Sequence, residues 1–262
     1  MGCRWCIDSH VQPKNVFTMK FAIVDGKKLE ATPGSRGSCQ VCGSELIAKC
    51  GEVNVHHWSH KSKRHCDPWW ENESEWHRAW KNEFAIEWQE IVHSDENGEK
   101  HIADVKTETG WVVEFQHSRL KPEERRTRNT FYNKLVWVVD GTRRKTDKNQ
   151  FDKILNESSK IIENPPTIRV HFPEDCRLFK EWGNSNALVF FDFDGNKRNK
   201  QSLLWLLYPH IKSSNIYLSY ISQFAFIQLS NNDGFDKLVR DVIDPMHKEI
   251  LPLYEKNIRH RG

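Results

Sequence analysis

Four cysteine and histidine residues near the amino end have the types and spacing of a zinc site. Cys39 and Cys42 form a C-x-x-C pair, and His57 and His60 follow it in the stretch HHWSH. A C-x-x-C turn points two thiolates at one tetrahedral ion, about 2.3 Å from each sulfur. The spacing therefore predicts that Cys39, Cys42, His57 and His60 hold a structural zinc ion.

Further cysteines and histidines in the first 66 residues leave the full ligand arrangement open. Clustered C-x-x-C pairs in a cytosolic chain indicate metal binding rather than disulfides. The other candidates could build a second site, or the Cys3/Cys6 pair could join Cys39/Cys42 in a four-cysteine site. These other candidates are Cys3, Cys6, Cys50, His56, His65 and Cys66.

Two carboxylates occupy the segment HIADVKTETGWVVEFQHS, which runs from His101 to Ser118. Its alternation predicts strands at about 100–106 and 111–117 with a turn between them. If Asp104 and Glu114 converge from these strands, they repel each other unless a cation lies between them. Hard oxygen ligands suit Mg²⁺ or Mn²⁺, which can polarise a phosphodiester and activate a bound water. Alternatively, both acids lie at strand ends and face solvent.

The elements that must position these residues follow from hydrophobic periodicity. A β-hairpin pattern covers residues 16–33, and an aromatic stripe with three- and four-residue spacing predicts a helix of about 20 residues over 71–92. Helices at 121–133 and 147–161 flank a buried strand in KLVWVVDG. The order helix, strand, strand, helix, strand, helix indicates an α/β fold in which this last strand joins the sheet.

Composition and charge exclude some classes of protein. The chain has 262 residues, of which 37% are hydrophobic and 29% charged, with a formal net charge of +3. No apolar run approaches the roughly 20 residues of a membrane helix, and the amino-terminal segment lacks the apolar core of a signal peptide. These features predict a soluble, cytoplasmic protein without membrane contact, and neither require nor exclude nucleic-acid binding.

Five ordered motifs resemble the CoiA-like competence protein family, whose core belongs to the PD-(D/E)XK nuclease superfamily. They are CQVCG with HHWSH, ESEWHRAWK, IADV, EFQHS, and RNTFY before LVWVVDG. The resemblance covers about residues 20–140. It implies a zinc-binding region with a β-hairpin at 1–67 and a nuclease-like core of mixed sheet and flanking helices at 68–164. Residues 165–262 would form an α/β extension of unknown role.

The resemblance also implies roles for particular residues. Asp104 and Glu114 match the metal-binding acids of the superfamily. Gln116 falls where many members have a catalytic lysine, and a neutral amide cannot supply that charge. The CoiA-like pattern has Gln at this position too, so Gln116 would orient a water or a phosphate. Ser118 would form a hydrogen bond near the site.

Two helices would supply the remaining site residues. Glu73, His77 and Lys81 are spaced four residues apart, so one helix would carry them in a polar line. Glu73, with Glu75 as its competitor, would complete the metal shell or orient a water. His77 would contact phosphate or transfer a proton, and Lys81 would bind substrate. In the second helix, Arg128 and Tyr132 look like the nuclease motif that clamps the substrate strand.

These implications predict a metal-dependent nuclease that hydrolyses phosphodiester bonds in DNA, with Mg²⁺ or Mn²⁺ in catalysis and Zn²⁺ in structure. The pathway would be DNA uptake or recombination, or phage replication or defence. One alternative is a zinc-containing nucleic-acid-binding protein without catalysis. Another is a subunit of a multi-protein defence complex. In either case, the carboxyl-terminal region could contact a protein partner or form a homo-oligomer.

Overall fold

The structure, a computed structural model, describes residues 18–52, 54–62, 66–69, 73–197, 199–210, 215–252 and 256. Cys3, Cys6 and His65 lie outside the described residues. The chain forms two compact units, Met1–Glu73 and Ser74–Gly262. The boundary between these units falls at 73/74, near the predicted 67/68, and the second unit spans the position predicted as a boundary at 164/165.

The first unit contains a five-stranded antiparallel sheet with the strand order β2-β1-β3-β4-β5. Trp58 and Leu46 are fully buried in its core, and the Trp58 indole N–H donates to the carbonyl of Leu29 at 3.0 Å. The predicted hairpin turn at Asp25-Gly26 is confirmed, since both residues have positive φ. The strands are β1 (Phe21–Val24), β2 (Lys27–Glu30), β3 (Arg36–Ser38), β4 (Glu45–Lys49) and β5 (His57–His60).

The second unit is built on a nine-stranded mixed sheet with the order β10-β11-β14-β13-β12-β9-β8-β7-β6. Neighbouring strands are antiparallel except for β8, β9 and β12, which run parallel to one another. The strands are β6 (Gln89–Ser94), β7 (Lys100–Lys106), β8 (Val112–Gln116), β9 (Leu135–Asp140), β10 (Ser159–Ile162), β11 (Thr167–Val170), β12 (Leu188–Asp192), β13 (Leu203–Leu207) and β14 (Ile216–Ser222).

Helices cover both faces of this sheet and complete three layers. On one face, Trp80 of α1 stacks on Phe115 and contacts Phe226 of α5. On the other face, Trp137 of β9 packs on Trp182 of α4. The helices are α1 (Glu75–Lys81), α2 (Pro122–Phe131), α3 (Asp147–Glu157), α4 (Arg177–Trp182), α5 (Gln223–Leu229) and α6 (Gly234–Leu238). Short 3₁₀ turns cover Ile86–Trp88, Pro173–Asp175 and Gly195–Lys197, and π-helical turns cover Val239–Ile243 and Met246–Ile250.

Of the helix predicted over 71–92, the structure forms α1 at Glu75–Lys81, and the prediction is wrong for the residues that follow. The α-helix ends at Lys81, and a 3₁₀ turn leads into β6, which begins at Gln89. Pairing of β6 with β7 satisfies the backbone of this segment as an edge strand, and this long-range pairing overrides the local aromatic periodicity. The strands predicted at 100–106 and 111–117 are confirmed, as are α2, β9 and the start of α3.

Within the described residues, no helix combines the length and the apolar character that a membrane crossing requires.

Candidate functional site

A group of three cysteines and one histidine in the first unit could hold a metal ion. The ligand atoms of Cys39, Cys42, His60 and Cys66 all lie within 4.8 Å of one another. The Cys39 and Cys66 sulfurs are 3.6 Å apart, and the Cys42 sulfur lies 3.3 Å from His60 Nε2. Two sulfurs bound tetrahedrally at about 2.3 Å lie roughly 3.8 Å apart. This donor set and these spacings fit a structural zinc ion.

Backbone hydrogen bonds in the CQVCG turn orient the thiols of Cys39 and Cys42 toward the other members of the group. The Gly43 N–H donates to the Cys39 carbonyl at 3.0 Å, and the Cys39 N–H donates to the Ser44 carbonyl at 2.9 Å. Gly43 has a φ of +70°, a conformation that a side chain would strain. Hydrogen bonds from Cys66 and from the backbone amides of Cys42 and Val41 outweigh burial and lower the pKa of Cys39 to about 5. The group therefore already favours a thiolate.

The predicted ligand set requires one correction, because Cys66 and not His57 is the fourth member of the group. His57 and His60 lie three residues apart on the same strand, so their side chains point to opposite faces of the sheet. The His57 ring instead lies 2.8 Å from the Val55 carbonyl through Nδ1. From the spacing alone, Cys66 is a candidate ligand only for a second site.

The carboxylates of Asp104 and Glu114 meet where strands β7 and β8 stop pairing. The ladder joins Val105 to Val113 and Lys106 to Val112, and continuing this register puts Asp104 opposite Glu114. Beyond these pairs, side-chain hydrogen bonds take the place of the backbone hydrogen bonds between the two strands. The Phe115 N–H donates to Asp104 Oδ2 at 2.9 Å, and the Asp104 N–H lies 3.4 Å from Glu114 Oε1. The two acids thus share one face of the sheet and one opening between strands.

Three basic side chains surround this pair of acids. His77 Nε2 and Lys81 Nζ of α1 each lie 3.9 Å from an Asp104 oxygen, and Arg128 Nη1 of α2 lies 3.0 Å from Glu114 Oε2. Asp104 keeps 23% of its side chain exposed, whereas Glu114 is almost fully buried. Asp104 is therefore the member of the pair that solvent reaches, and Arg128 orients the buried Glu114 behind it.

A third acid, Glu90, was missed in the sequence. It is buried, with a φ of +45°, and lies between the β6–β7 pairs Gln89/Val105 and Ile91/Ala103, which puts it opposite Asp104. Lys81 Nζ contacts Glu90 Oε1 at 2.8 Å. Nothing in the local pattern identifies Glu90, because the aromatic periodicity assigned it to a helix. Glu90, Asp104 and Glu114 thus form a row of acids across three adjacent strands.

Three more of the predicted site residues are buried. Gln116 is buried, and its amide donates to the Ser118 carbonyl at 3.1 Å and lies 3.4 Å from the Ser118 hydroxyl. Arg128 and Tyr132 are both buried, and their predicted role in clamping a substrate strand stays a prediction. The Tyr132 ring packs against His93 and Phe131.

Glu73 is not on the helix that carries His77 and Lys81. Ser74 is the N-cap of α1, its hydroxyl accepting from the His77 N–H at 3.2 Å, and the helix begins at Glu75. Glu73 is the last residue of the first unit, where its N–H donates to the Thr18 hydroxyl at 3.1 Å. The competing residue Glu75 is on the helix and exposed.

A second polar row lies at the carboxyl ends of the parallel strands β8, β9 and β12. His117 Nδ1 lies 2.7 Å from Asp140 Oδ2, and Asp140 pairs in register with Asp192. Burial raises the pKa of Asp140, but hydrogen bonds from His117 and Thr142 outweigh it and lower that pKa below the usual value. The Asp192 carboxylate accepts the indole N–H groups of Trp76 and Trp80 at 2.9 and 3.0 Å. Asp192 therefore ties α1 to the sheet.

Among the described residues, the Cys/His group is the one cluster of three or more histidine, cysteine or acidic residues with ligand atoms close enough to share an ion. Lys81 and Arg128 offset part of the charge of the three acids in the row, and Arg128 is shared with Glu124.

Comparison with known proteins bears on the first unit. No curated protein and no solved structure matches the chain significantly. Residues 25–68 match the family model described as competence protein CoiA, N-terminal domain. All four members of the Cys/His group lie in this range, so the part of the chain that carries this group is similar to that domain.

Proposed function

We propose that this protein is a competence-related, metal-dependent nuclease that hydrolyses phosphodiester bonds in DNA. The observation that carries the proposal is the convergence of Asp104 and Glu114 at the end of the β7–β8 ladder, beside His77 and Lys81. Mg²⁺ is commonly bound by one or two carboxylates together with substrate phosphates and waters, and Mn²⁺ accepts the same ligands. Two acids beside an opening are sufficient for such a site.

Asp104 and Glu114 would hold the divalent ion, which supplies a polarised phosphate and a more acidic bound water. Lys81 lies within 4 Å of both Glu90 and Asp104, so it can turn from these acids toward an incoming phosphate. His77 reaches Asp104 from the same helix and is within range to contact the phosphate or transfer a proton. Gln116 and Ser118 act together, since their hydrogen bonds orient the strand end beyond Glu114.

A specific observation favours a second candidate, a zinc-containing nucleic-acid-binding protein without catalysis. The position of the usual lysine is held by Gln116, whose amide is engaged with Ser118. Lys81 and Arg128 also offset part of the charge of the acid row. A site that already contains cations has less need of a metal ion.

A cleavage assay separates the two candidates. Labelled single- and double-stranded DNA is incubated with the zinc-loaded chain and a series of divalent cations. We expect cleavage with Mg²⁺ or Mn²⁺, and Asp104→Ala is expected to lower the rate by about a hundredfold to a thousandfold, since metal coordination supplies several kcal/mol. Glu108→Ala, which removes an exposed acid from the same hairpin, is the matched control.

Cleavage by Asp104→Ala at the wild-type rate would contradict the assigned site. Binding of DNA by the wild type without cleavage in any divalent cation would favour the second candidate.

A further inference from the structure

The loops that follow the three parallel strands form one continuous surface. These loops are residues 117–121 after β8, 141–146 after β9 and 194–200 after β12. We call the residues of these loops that the structure describes the carboxyl-edge surface. The Gly141 N–H donates to the Asp192 carbonyl at 2.8 Å. A guanidinium N–H of Arg143 donates to the Ser118 carbonyl, and the backbone of Gly195 packs against Thr142. These contacts hold the three loops side by side.

Each of the three loops contributes exposed cations to this surface. They are Arg119 and Lys121 in the first loop, Lys145 in the second, and Lys197 and Lys200 in the third. Among the described residues, none of the five has a carboxylate oxygen within ion-pair distance. Many other exposed cations of the same unit are paired, for example Lys160 with Glu163 and Lys237 with Asp233.

Most of the acidic side chains near this surface have hydrogen-bond or ion-pair partners. Asp140 is buried and holds His117, and Asp192 is buried and accepts two indoles. Glu181 pairs with Arg143 and Arg144, which also lie near the buried Asp147. Among the described residues of the loops, Asp194 is the exposed acid. Five cations therefore face solvent against one carboxylate.

His117 stands among these cations in a fixed orientation. Its side chain is 41% exposed, while Nδ1 is held by Asp140 and the ring packs against Trp76. Because a carboxylate only accepts, Nδ1 carries the proton of this hydrogen bond. This arrangement prevents the ring from rotating away from the surface.

We infer that the carboxyl-edge surface binds the phosphate backbone of a nucleic acid. An array of unpaired cations on rigidly spaced loops suits a polyanion with regularly repeating charges, and releases its counterions on binding. Since the His117–Asp140 pair lies three residues beyond Glu114 on β8, the surface lies about 10 Å along the strand from the acid pair. The inference deepens the proposed function, on which it rests for the identity of the polyanion.

The test uses two triple variants that each remove three exposed cations without a carboxylate partner among the described residues. The first, Arg119→Gln/Lys145→Gln/Lys200→Gln, takes one cation from each loop. The matched control, Lys153→Gln/Arg177→Gln/Lys180→Gln, takes the same number from α3 and α4. Binding of a labelled single-stranded oligonucleotide is followed by fluorescence anisotropy at several salt concentrations, with zinc-loaded full-length protein and no added divalent cation.

We expect the first variant to weaken binding about tenfold to a hundredfold at 0.15 M salt and to lower the salt slope by about 2, given about 0.7 per phosphate contact. The control variant is expected to bind like the wild type. Equal affinities of all three proteins, equal weakening by both variants, or no binding by the wild type would overturn the inference. So would loss of binding to phosphatidylserine vesicles without a change in oligonucleotide binding.

This experiment is independent of cleavage, because no Mg²⁺ or Mn²⁺ is present. Failure of the nuclease proposal would appear as an inactive wild type in the cleavage assay. Failure of the present inference would appear as unchanged binding by the first variant, whether or not the wild type cleaves.

Discussion

The Cys/His group of the first unit and the acid row of the second unit differ in the side chains that contact their clustered ligand atoms. In the first, four soft ligands converge within 4.8 Å, with two sulfurs 3.6 Å apart. In the second, Glu90 and Asp104 contact Lys81, and Glu114 contacts Arg128. The first group could hold an added cation, which would neutralise the thiolates that bind it. The second carries cations of its own, so any metal ion must compete with them.

The largest expected effect comes from removing a ligand of the Cys/His group. Cys66→Ser is expected to lower zinc affinity by orders of magnitude and to unfold the first unit, because structural zinc contributes about 10–16 kcal/mol in small domains. His57→Ala, which alters a histidine outside the group, should keep its zinc. Elemental analysis of the purified proteins and thermal unfolding measure both outcomes. Zinc retained in Cys66→Ser and lost in His57→Ala would restore the ligand set predicted from spacing.

Removing a cation from the acid row is expected to have the next largest effect. Lys81→Met leaves Glu90 buried without this partner, and loss of one member of a buried pair costs about 3–5 kcal/mol in the free energy of unfolding. Adding Glu90→Gln should recover much of this loss. The measurement is chemical denaturation, with Lys160→Met, a change in an exposed pair, as the control. A double variant no more stable than Lys81→Met would show that the two residues are not coupled.

A smaller effect is expected where the sheet positions α1. Asp192→Asn replaces one acceptor oxygen by an amide, which then faces either the two indoles or the backbone amides of Asp194 and Gly195. Since buried donors lose their partner, we expect a loss of about 2–3 kcal/mol in the free energy of unfolding, with a shift in tryptophan fluorescence. The exposed neighbour Asp194→Asn should change neither quantity. An unchanged fluorescence spectrum in Asp192→Asn would argue against its role in holding α1.

The smallest expected effect concerns acid stability at Asp140. Its lowered pKa in the folded state means that the ionised carboxylate stabilises the fold above the unfolded pKa of about 3.9, and that this contribution is lost as pH falls through the folded pKa. His117→Gln removes one hydrogen bond that lowers this pKa, so the variant should unfold at a higher pH than the wild type. Circular dichroism between about pH 2 and 6 follows the transition. Coincident acid transitions would exclude a contribution from His117.

The secondary structure of the hairpin could be predicted because alternation along a strand is a local property. The alternation in HIADVKTETGWVVEFQHS correctly predicts β7 and β8 and puts Asp104 and Glu114 on one face. The same kind of reasoning failed at 82–92, where aromatic spacing fits a helix but the chain forms β6. Glu90 was missed for this reason, since its place opposite Asp104 exists only when β6 pairs with β7.

By itself, the sequence determined the CQVCG turn, the two strands that carry the acids, and the helix face that carries His77 and Lys81. Each of these depends on residues within a few positions of one another. Only the tertiary structure decided that Cys66 replaces His57, that Glu90 joins the acid row, and that Asp192 holds the tryptophans of α1. These contacts join residues far apart in the chain, and strand pairing and side-chain direction select them after the sheets have formed.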